Sequence, residues 1–395
     1  MSGKVWTYII IGIIALAGSI FGILYFSTGI TVIASPAQAK ITISGQEAVS
    51  AQKTKLKPGN YAIKIELADY IPYKKDIKLG IGSSQNTTVN LRALPAVEQA
   101  LPDTARYAVL SPDKVSMYIL SSGGKTMYEI ANITSEILAT EKISPDFFVD
   151  VSNVIWSPNR TLAIVKQDQK TSLYDFKRYD LLHQEITPFE DGIKYIVWSP
   201  NSEEIIYYFS PSGGETTLVR ATKTNTDQKR IYNFKDNPIS NPQLDWSPDG
   251  KYLLVVANST LQILNLYNNQ MTKLDVNKKV YEARFTPEGN IIFLSDDANY
   301  ITDIGGIDIT NLGIKTALNR ISWIDSQNFV FAQKADDGVY HFYIYDILDQ
   351  SKNEIYYDTK TSINPTNPIL TSDGKMLYFE NNGYLYRMDV DMGVY

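Results

Sequence analysis

Leu244–Val256 reads L-D-W-S-P-D-G-K-Y-L-L-V-V, and much of the chain repeats it. V-I-W-S-P-N at Val154–Asn159 and I-V-W-S-P-N at Ile196–Asn201 copy its first half closely. Looser copies are V-L-S-P-D at Val109–Asp113, A-R-F-T-P-E-G-N-I-I-F-L at Ala283–Leu294, I-S-W-I-D-S at Ile321–Ser326 and I-L-T-S-D-G-K-M-L-Y-F at Ile369–Phe379. Proline presets φ at the first turn position, Ser or Thr bonds back to the backbone, and Asp-Gly or Asn tolerates a left-handed conformation, so each copy reads as strand–turn–strand. Alignment places Ser111, Ser157, Ser199, Ser247, Thr286, Ile324 and Thr371 in one column, at intervals of 46, 42, 48, 39, 38 and 47. A period of about 40–50 residues is that of a four-stranded blade. Seven copies predict an all-β chain whose main part, residues 105–395, is a seven-bladed β-propeller.

Four of the five tryptophans, Trp156, Trp198, Trp246 and Trp323, stand in the column before the turn, and Phe285, Leu110 and Leu370 fill it elsewhere. Large apolar residues at equivalent places on neighbouring blades are expected to pack together and hold the ring. Each copy continues into a second strand, as at Ile205–Phe209, Tyr252–Val256 and Ile291–Leu294, and usually a third, at Thr171–Phe176, Tyr340–Ile347 and Tyr384–Met388. Only 24 residues follow Thr371, too few to finish a blade. Either the linker 95–104 donates the closing outer strand or the last blade is incomplete.

Composition removes several functions. With 37 Lys plus Arg against 43 Asp plus Glu the net charge is −6, which supplies no field for a phosphate backbone, so no nucleic-acid partner is expected. There is no cysteine, hence no disulfide, thiolate metal site or cysteine nucleophile. The two histidines, His183 and His341, fall in strand-like runs and are read as structural or surface side chains. Asp296-Asp297-Ala298-Asn299 and Asp336-Asp337-Gly338 lack the spaced ligands of a calcium loop and read as solvated turns. No G-x-S-x-G elbow and no phosphate-binding glycine pattern occurs. No catalytic residue, cofactor or metal is expected, and the chain reads as a non-enzyme.

The amino terminus has a different character. Val5–Tyr25 carries no charge and, at helical rise, about 21 residues match a hydrocarbon core roughly 30 Å thick. Residues 1–30 therefore read as a single-pass membrane anchor, with Lys4 placing the amino end in the cytoplasm and the bulk of the chain outside. The alternative is a cleaved signal peptide, for which Ala37-Gln38-Ala39 has the small-x-small form. Either reading exports the remainder.

Between anchor and repeats the period is two. Ile41 and Ile43 alternate with polar neighbours, as do Tyr61, Ile63, Ile65 and Leu67, with further strands at Lys74–Leu79 and Thr87–Leu91. A small β-sandwich over 31–94 follows, with 95–104 as linker. S-P-A-Q-A-K-I-T-I-S-G at Ser35–Gly45, L-K-P-G-N-Y-A-I-K-I at Leu56–Ile65 and D-Y-I-P-Y-K-K-D-I-K-L at Asp69–Leu79 resemble the PEGA domain, which implies a spacer or adhesion role outside the membrane. The repeated W-S-P-D-G resembles the TolB-like propellers, a likeness that implies a shape and no reaction.

Propellers bind at one end of the central channel, on loops between blades. Here those loops are Ser144–Ser152, Pro188–Lys194, Asp236–Pro242 and Lys360–Pro368, and Phe147, Phe148, Phe189, Glu190, Asp191 and Asp236 are the candidate partner-binding residues. The expected function is recognition or scaffolding at the cell envelope, with the membrane and a protein or cell-wall glycan as partners. The alternatives are an enzyme or enzyme subunit acting on peptide or glycan, and a periplasmic TolB-like member of an envelope complex. Clustered carboxylates at the channel mouth would favour glycoside hydrolysis, whereas an apolar and neutral lining would favour binding.

Overall fold

The computed structural model describes residues 3–146, 148–167, 176–190, 192–212, 214–360 and 362–390. The chain forms two compact units, Met1–Pro95 and Ala96–Tyr395.

The first unit begins with helix α1 (Gly3–Ser27). Val5–Tyr25 is helical, as its apolar run requires, but among the described residues no helix is long and apolar enough to cross a membrane. The span expected from the sequence is therefore not carried by the structure. Several side chains of α1 lie outside the described residues. Seven strands follow: β1 (Gly29–Ser35), β2 (Lys40–Ile43), β3 (Gln46–Ala48), β4 (Lys53–Lys55), β5 (Gly59–Glu66), β6 (Tyr73–Leu79) and β7 (Ser84–Asn90). They make two sheets, ordered β4-β1-β7 and β3-β2-β5-β6. Ile30, Val32 and Ala34 from the first sheet and Ile41, Ile43, Ile63 and Ile65 from the second share one core. The first of these strands begins at Gly29 and pairs parallel with β7 along its whole length. That strand also bears on processing. Cleavage after Ala39 would remove β1, the middle strand of its sheet, and with it Ile30 and Val32, which are at most 2% exposed.

The second unit holds, among the described residues, seven four-stranded antiparallel sheets. We number them as blades 1 to 7, with first strands Ala105–Leu110, Val151–Trp156, Ile193–Trp198, Gln243–Trp246, Glu282–Phe285, Ile321–Trp323 and Thr366–Leu370. First strands of successive blades pack together around the centre. The last blade is completed from the linker, as one of the two alternatives required: β8 (Glu98–Gln99) pairs with Tyr384–Asp389 as the outermost strand. The Arg387 guanidinium secures it, donating to Glu98 Oε1 at 2.7 Å and to the Ser135 and Glu136 carbonyls of blade 1. Seven apolar clusters fill the seven junctions, and each holds one member of the predicted column. Trp156 sits between blades 1 and 2, Trp246 between 3 and 4, and Leu370 between 6 and 7. Leu110 packs against the cluster between blades 7 and 1, which closes the ring. The third strand of blade 2 is Phe176–Asp180, later than expected, and residues 171–175 lie outside the described residues.

The repeated turn works through a buried hydroxyl. In blade 4 Ser247 Oγ donates to Asp249 Oδ1 at 2.7 Å and accepts from the Tyr252 N–H at 2.9 Å. The same pair of bonds forms at Ser111, Ser157, Ser199 and Thr371. The left-handed residue is the one after the Asp or Asn, or after Glu288 in blade 5: Lys114, Arg160, Ser202, Gly250, Gly289 and Gly374. Asn159 and Asn201 are therefore caps, and the sequence reading that gave them the left-handed role is corrected. Blade 5 breaks the pattern. Glu288 replaces the capping Asp, the turn closes one residue earlier through Thr286 N–H to Asn290 O, and the buried Thr286 Oγ1 has no hydrogen-bond partner.

Two outcomes are expected. Glu288→Asp supplies the missing acceptor and raises stability by about 1 kcal/mol in thermal or denaturant unfolding; an unchanged or lowered midpoint contradicts the capping account. A chain starting at Lys40 exposes the sandwich core and binds a hydrophobic dye at that unit, whereas a chain starting at Ser27 does not.

Candidate functional site

The first strands of blades 2, 3 and 4 border an open cavity of about 450 Å³. Asn241 and Pro242 reach it from one of the four loops singled out by the sequence, while Ser152 and Lys194 stand on the first strands of blades 2 and 3. Lys166 joins from the second strand of blade 2, and Asn153, Tyr195 and Gln243 from the first strands. Among the described residues, none lining the cavity is a carboxylate.

The candidate residues named from the sequence are placed differently. Phe148 is fully buried and meets Tyr179 edge to face, with ring centroids 5.5 Å apart. Phe189 is 3% exposed in the core between blades 2 and 3. Both are corrected from partner anchors to packing groups, because each fills a blade junction just where the chain crosses it. Glu190 is exposed and accepts from Gln228 Nε2 at 3.0 Å and the Tyr207 hydroxyl at 3.4 Å. Asp236 is exposed, while Phe147 and Asp191 lie outside the described residues. Of the six, none lines the cavity among those described.

The first strands also show a polar stitching that the sequence did not announce. Three positions before the tryptophan column, Gln243 Oε1 accepts the Ala283 N–H, Glu282 Oε2 accepts the Leu318 N–H, Arg320 Nε donates to Pro365 O, and Asn367 Nδ2 donates to Ala108 O. Each bond joins one blade to the backbone of the next. Asp245 does likewise, accepting the Phe285 N–H at 2.7 Å. Burial pushes the Asp245 carboxyl up to about 6, against the pull of that N–H and of Arg284. Glu380, buried and bonded to the Ala108 N–H and to Asn367 Nδ2, is also raised, again by burial.

Other titratable groups are engaged elsewhere. His341 Nδ1 meets Glu354 at 2.6 Å and Nε2 meets Asp337 at 3.1 Å, on strand Tyr340–Asp346, away from the cavity. His183 does not lie in a strand but on the exposed turn after Asp180, whose carboxylate accepts its N–H. Asp297 is held down to about 2 by the Tyr300 hydroxyl and by Lys278.

No protein-family model and no curated protein sequence matches the chain. Solved structures do. An oligogalacturonate lyase in complex with manganese is similar at TM-score 0.56 and 12% identity, covering 74% of this chain and 93% of that one. The Cps50 (Swd1) beta-propeller domain of Myceliophteria thermophila is similar at TM-score 0.51 and 12% identity, covering 75% and 99%. The second unit has the β-propeller fold. At such identity the likeness carries the fold alone. Among the described residues no group of three or more His, Asp or Glu side chains is placed to hold a metal ion.

Between about pH 4 and 6 the Asp245 carboxyl takes up a proton on folding, because its value of about 6 in the folded chain lies above the 3.8 of an ordinary aspartate. Stability is then greatest below about pH 4 from this group and is lost as pH rises through 6, by roughly 2–3 kcal/mol. Asp245→Asn keeps an oxygen for the Phe285 N–H and removes the ionisation. We expect a higher melting temperature at pH 7.5 and a flatter stability profile between pH 4 and 6; a lower melting temperature with an unchanged slope refutes it.

Proposed function

We propose that this chain is an extracytoplasmic recognition or scaffolding protein of the cell envelope, held to the membrane by its amino-terminal segment. It binds a protein or cell-wall glycan at the propeller's channel mouth and performs no catalysis of its own. The observation that supports this reading is the lining of the cavity, which is apolar and neutral apart from two lysines and, among the described residues, carries no carboxylate. Glycoside hydrolysis calls for two carboxyl groups about 5–10 Å apart across the reacting bond.

The TolB-like and PEGA-like resemblances fit an exported role, and a ring of small sheets offers a rigid frame for binding loops. For the anchor, the support is the uncharged run Val5–Tyr25, the lysine before it, and the exposure of Ile9, Ile10, Ile13, Ile14 and Leu16 on a helix with no polar stripe among them. The retained strand β1 fits an uncleaved amino terminus. One observation favours the enzyme alternative: a structural neighbour is named as a lyase.

Carbonate extraction of membranes from cells expressing the full chain tests the anchor, with the protein expected in the pellet. Release into the supernatant would remove it. Protease shaving of intact cells should degrade the propeller while cytoplasmic controls survive. Crosslinking on the same cells should join the propeller to another envelope component, and recovery of the chain alone contradicts recognition.

A further inference from the structure

Charge is divided unevenly between the two units. Met1–Pro95 carries ten Lys and Arg against four Asp and Glu, whereas Ala96–Tyr395 carries 27 against 39. Within the first unit the excess is concentrated again. Helix α1 ends at Ser27, and the buried Thr28 fixes the chain at its exit. The Thr28 carbonyl accepts the Leu56 N–H at 3.1 Å, its hydroxyl accepts the Gly82 N–H at 2.8 Å, and the next residue, Gly29, donates to Ser83 O at 3.0 Å. The connections from β4 to β5 and from β6 to β7 therefore lie at the end of the unit from which α1 emerges. Those connections and the strand ends that enter them hold Lys55, Lys57 and Lys78, all exposed, and Ile81, which is 51% exposed.

The four carboxylates of the unit stand elsewhere. Glu66 and Asp69 are at the opposite end, where β5 turns into β6, and Glu47 and Asp76 sit partway along β3 and β6. Strands β1, β4 and β7 contain no acidic residue. Lys40 and Lys64 are taken up by Glu47 and Glu66, but Lys55, Lys57 and Lys78 make no ion pair among the described residues. Lys53 has a separate duty. Helix α1 has no basic residue in its last turn, and Lys53 Nζ supplies a cation from β4, donating to Ser27 O at 2.8 Å at the negative end of the helix dipole. The end of the unit thus combines three uncompensated ammonium groups with an exposed isoleucine at the exit of an uncharged helix. Ammonium groups beside a span attract anionic headgroups, and an apolar side chain among them gains by entering the boundary with the acyl chains.

We infer that this end of the first unit docks on anionic phospholipid, with Lys55, Lys57 and Lys78 on headgroup phosphates and Ile81 at the acyl boundary. The inference rests on the anchor reading above, since α1 in a bilayer brings Thr28 to the headgroup level, and it names the lipid class that the anchored chain prefers. A soluble polyanion offers the same charge but leaves Ile81 in water. The acid surplus of the second unit is repelled by such a surface, so the attraction belongs to the first unit alone.

The chain has no cysteine, so a single dye can be placed at will. The test compares the full chain carrying a dye on Ile81→Cys in nanodiscs of phosphatidylcholine with and without phosphatidylglycerol, each holding a lipid with a nitroxide on its headgroup. Quenching of the dye is expected to be strong only with phosphatidylglycerol and to fall as salt rises. Lys55→Gln, Lys57→Gln and Lys78→Gln should each weaken this docking about fivefold with the melting temperature unchanged, while Lys74→Gln, near the opposite end of β6, should not. Equal quenching in the two lipids overturns the role of the lysines. If polyphosphate binds the chain in phosphatidylcholine discs and the Ile81 dye stays unquenched with phosphatidylglycerol, the lysines serve a soluble polyanion and the lipid inference fails. A second dye on Gly12→Cys, within α1 where an added Cβ meets nothing within 4 Å, reports the anchor. If that dye is shielded by the bilayer and the Ile81 dye is never quenched, the inference fails and the anchor stands; if both stay in water, both fail.

Discussion

A blade of this propeller has two apolar faces, and neither can be left in water. The second strand of blade 4, Tyr252–Ala257, is buried at five of its six positions, so the sheet is covered on both sides. An open row of seven such sheets would leave its two end faces bare, each with side chains worth about 1.5–3 kcal/mol apiece in lost burial. Closing the row removes both faces at once. The closure is the junction of blades 7 and 1, where Ala105, Ala108 and Met117 meet Ile369, Tyr378 and Leu385. It is locked through β8, which lies at the start of the unit yet completes its last sheet, so that the two ends of the unit share one blade.

How much of this could be read from sequence follows from the range of each interaction. The turns were legible because Ser247, Asp249 and Tyr252 bond one another within six residues, leaving the same letters in each copy. The Trp column was legible because the same local motif dictates its place, although the junction it fills is a long-range contact. Illegible were pairings that leave no local trace. Glu98 and Arg387 are 289 positions apart, and nothing in either segment names the other. Strand β1 was hidden in part because its apolar residues follow directly on the helix and read as its continuation.

The site was half legible for a similar reason. Loop positions follow from the repeat, but only one of the four expected loops, Asp236–Pro242, contributes residues to the cavity outside the strands. Which side chains serve there does not follow. Phe148 and Phe189 looked like exposed anchors because they stand in loops among acids, but a large ring beside a blade junction is drawn into it. Lys166, Lys194, Tyr195 and Gln243 went unnoticed since they sit on strands, where a polar residue at alternate positions is the ordinary pattern.

What separates frame from function is where the repeat stops being repetitive. Gln243, Glu282, Arg320 and Asn367 differ in chemistry yet do one task, joining a side chain to the next blade's backbone; the position is constrained by the ring and the residue type only by which backbone group it meets. In blades 2 and 3 the indole N–H of Trp156 and Trp198 ties the blade back to the one before it, at the Tyr107 and Ile155 carbonyls. Trp246 does not share it, since its indole turns back to Gly250 O within its own turn. The ring therefore has two alternative ways of tying its first strands together. Where the tryptophan of the following blade makes the tie, as Trp198 does between blades 2 and 3, the position of Asn153 is relieved of it and can vary without loosening the ring.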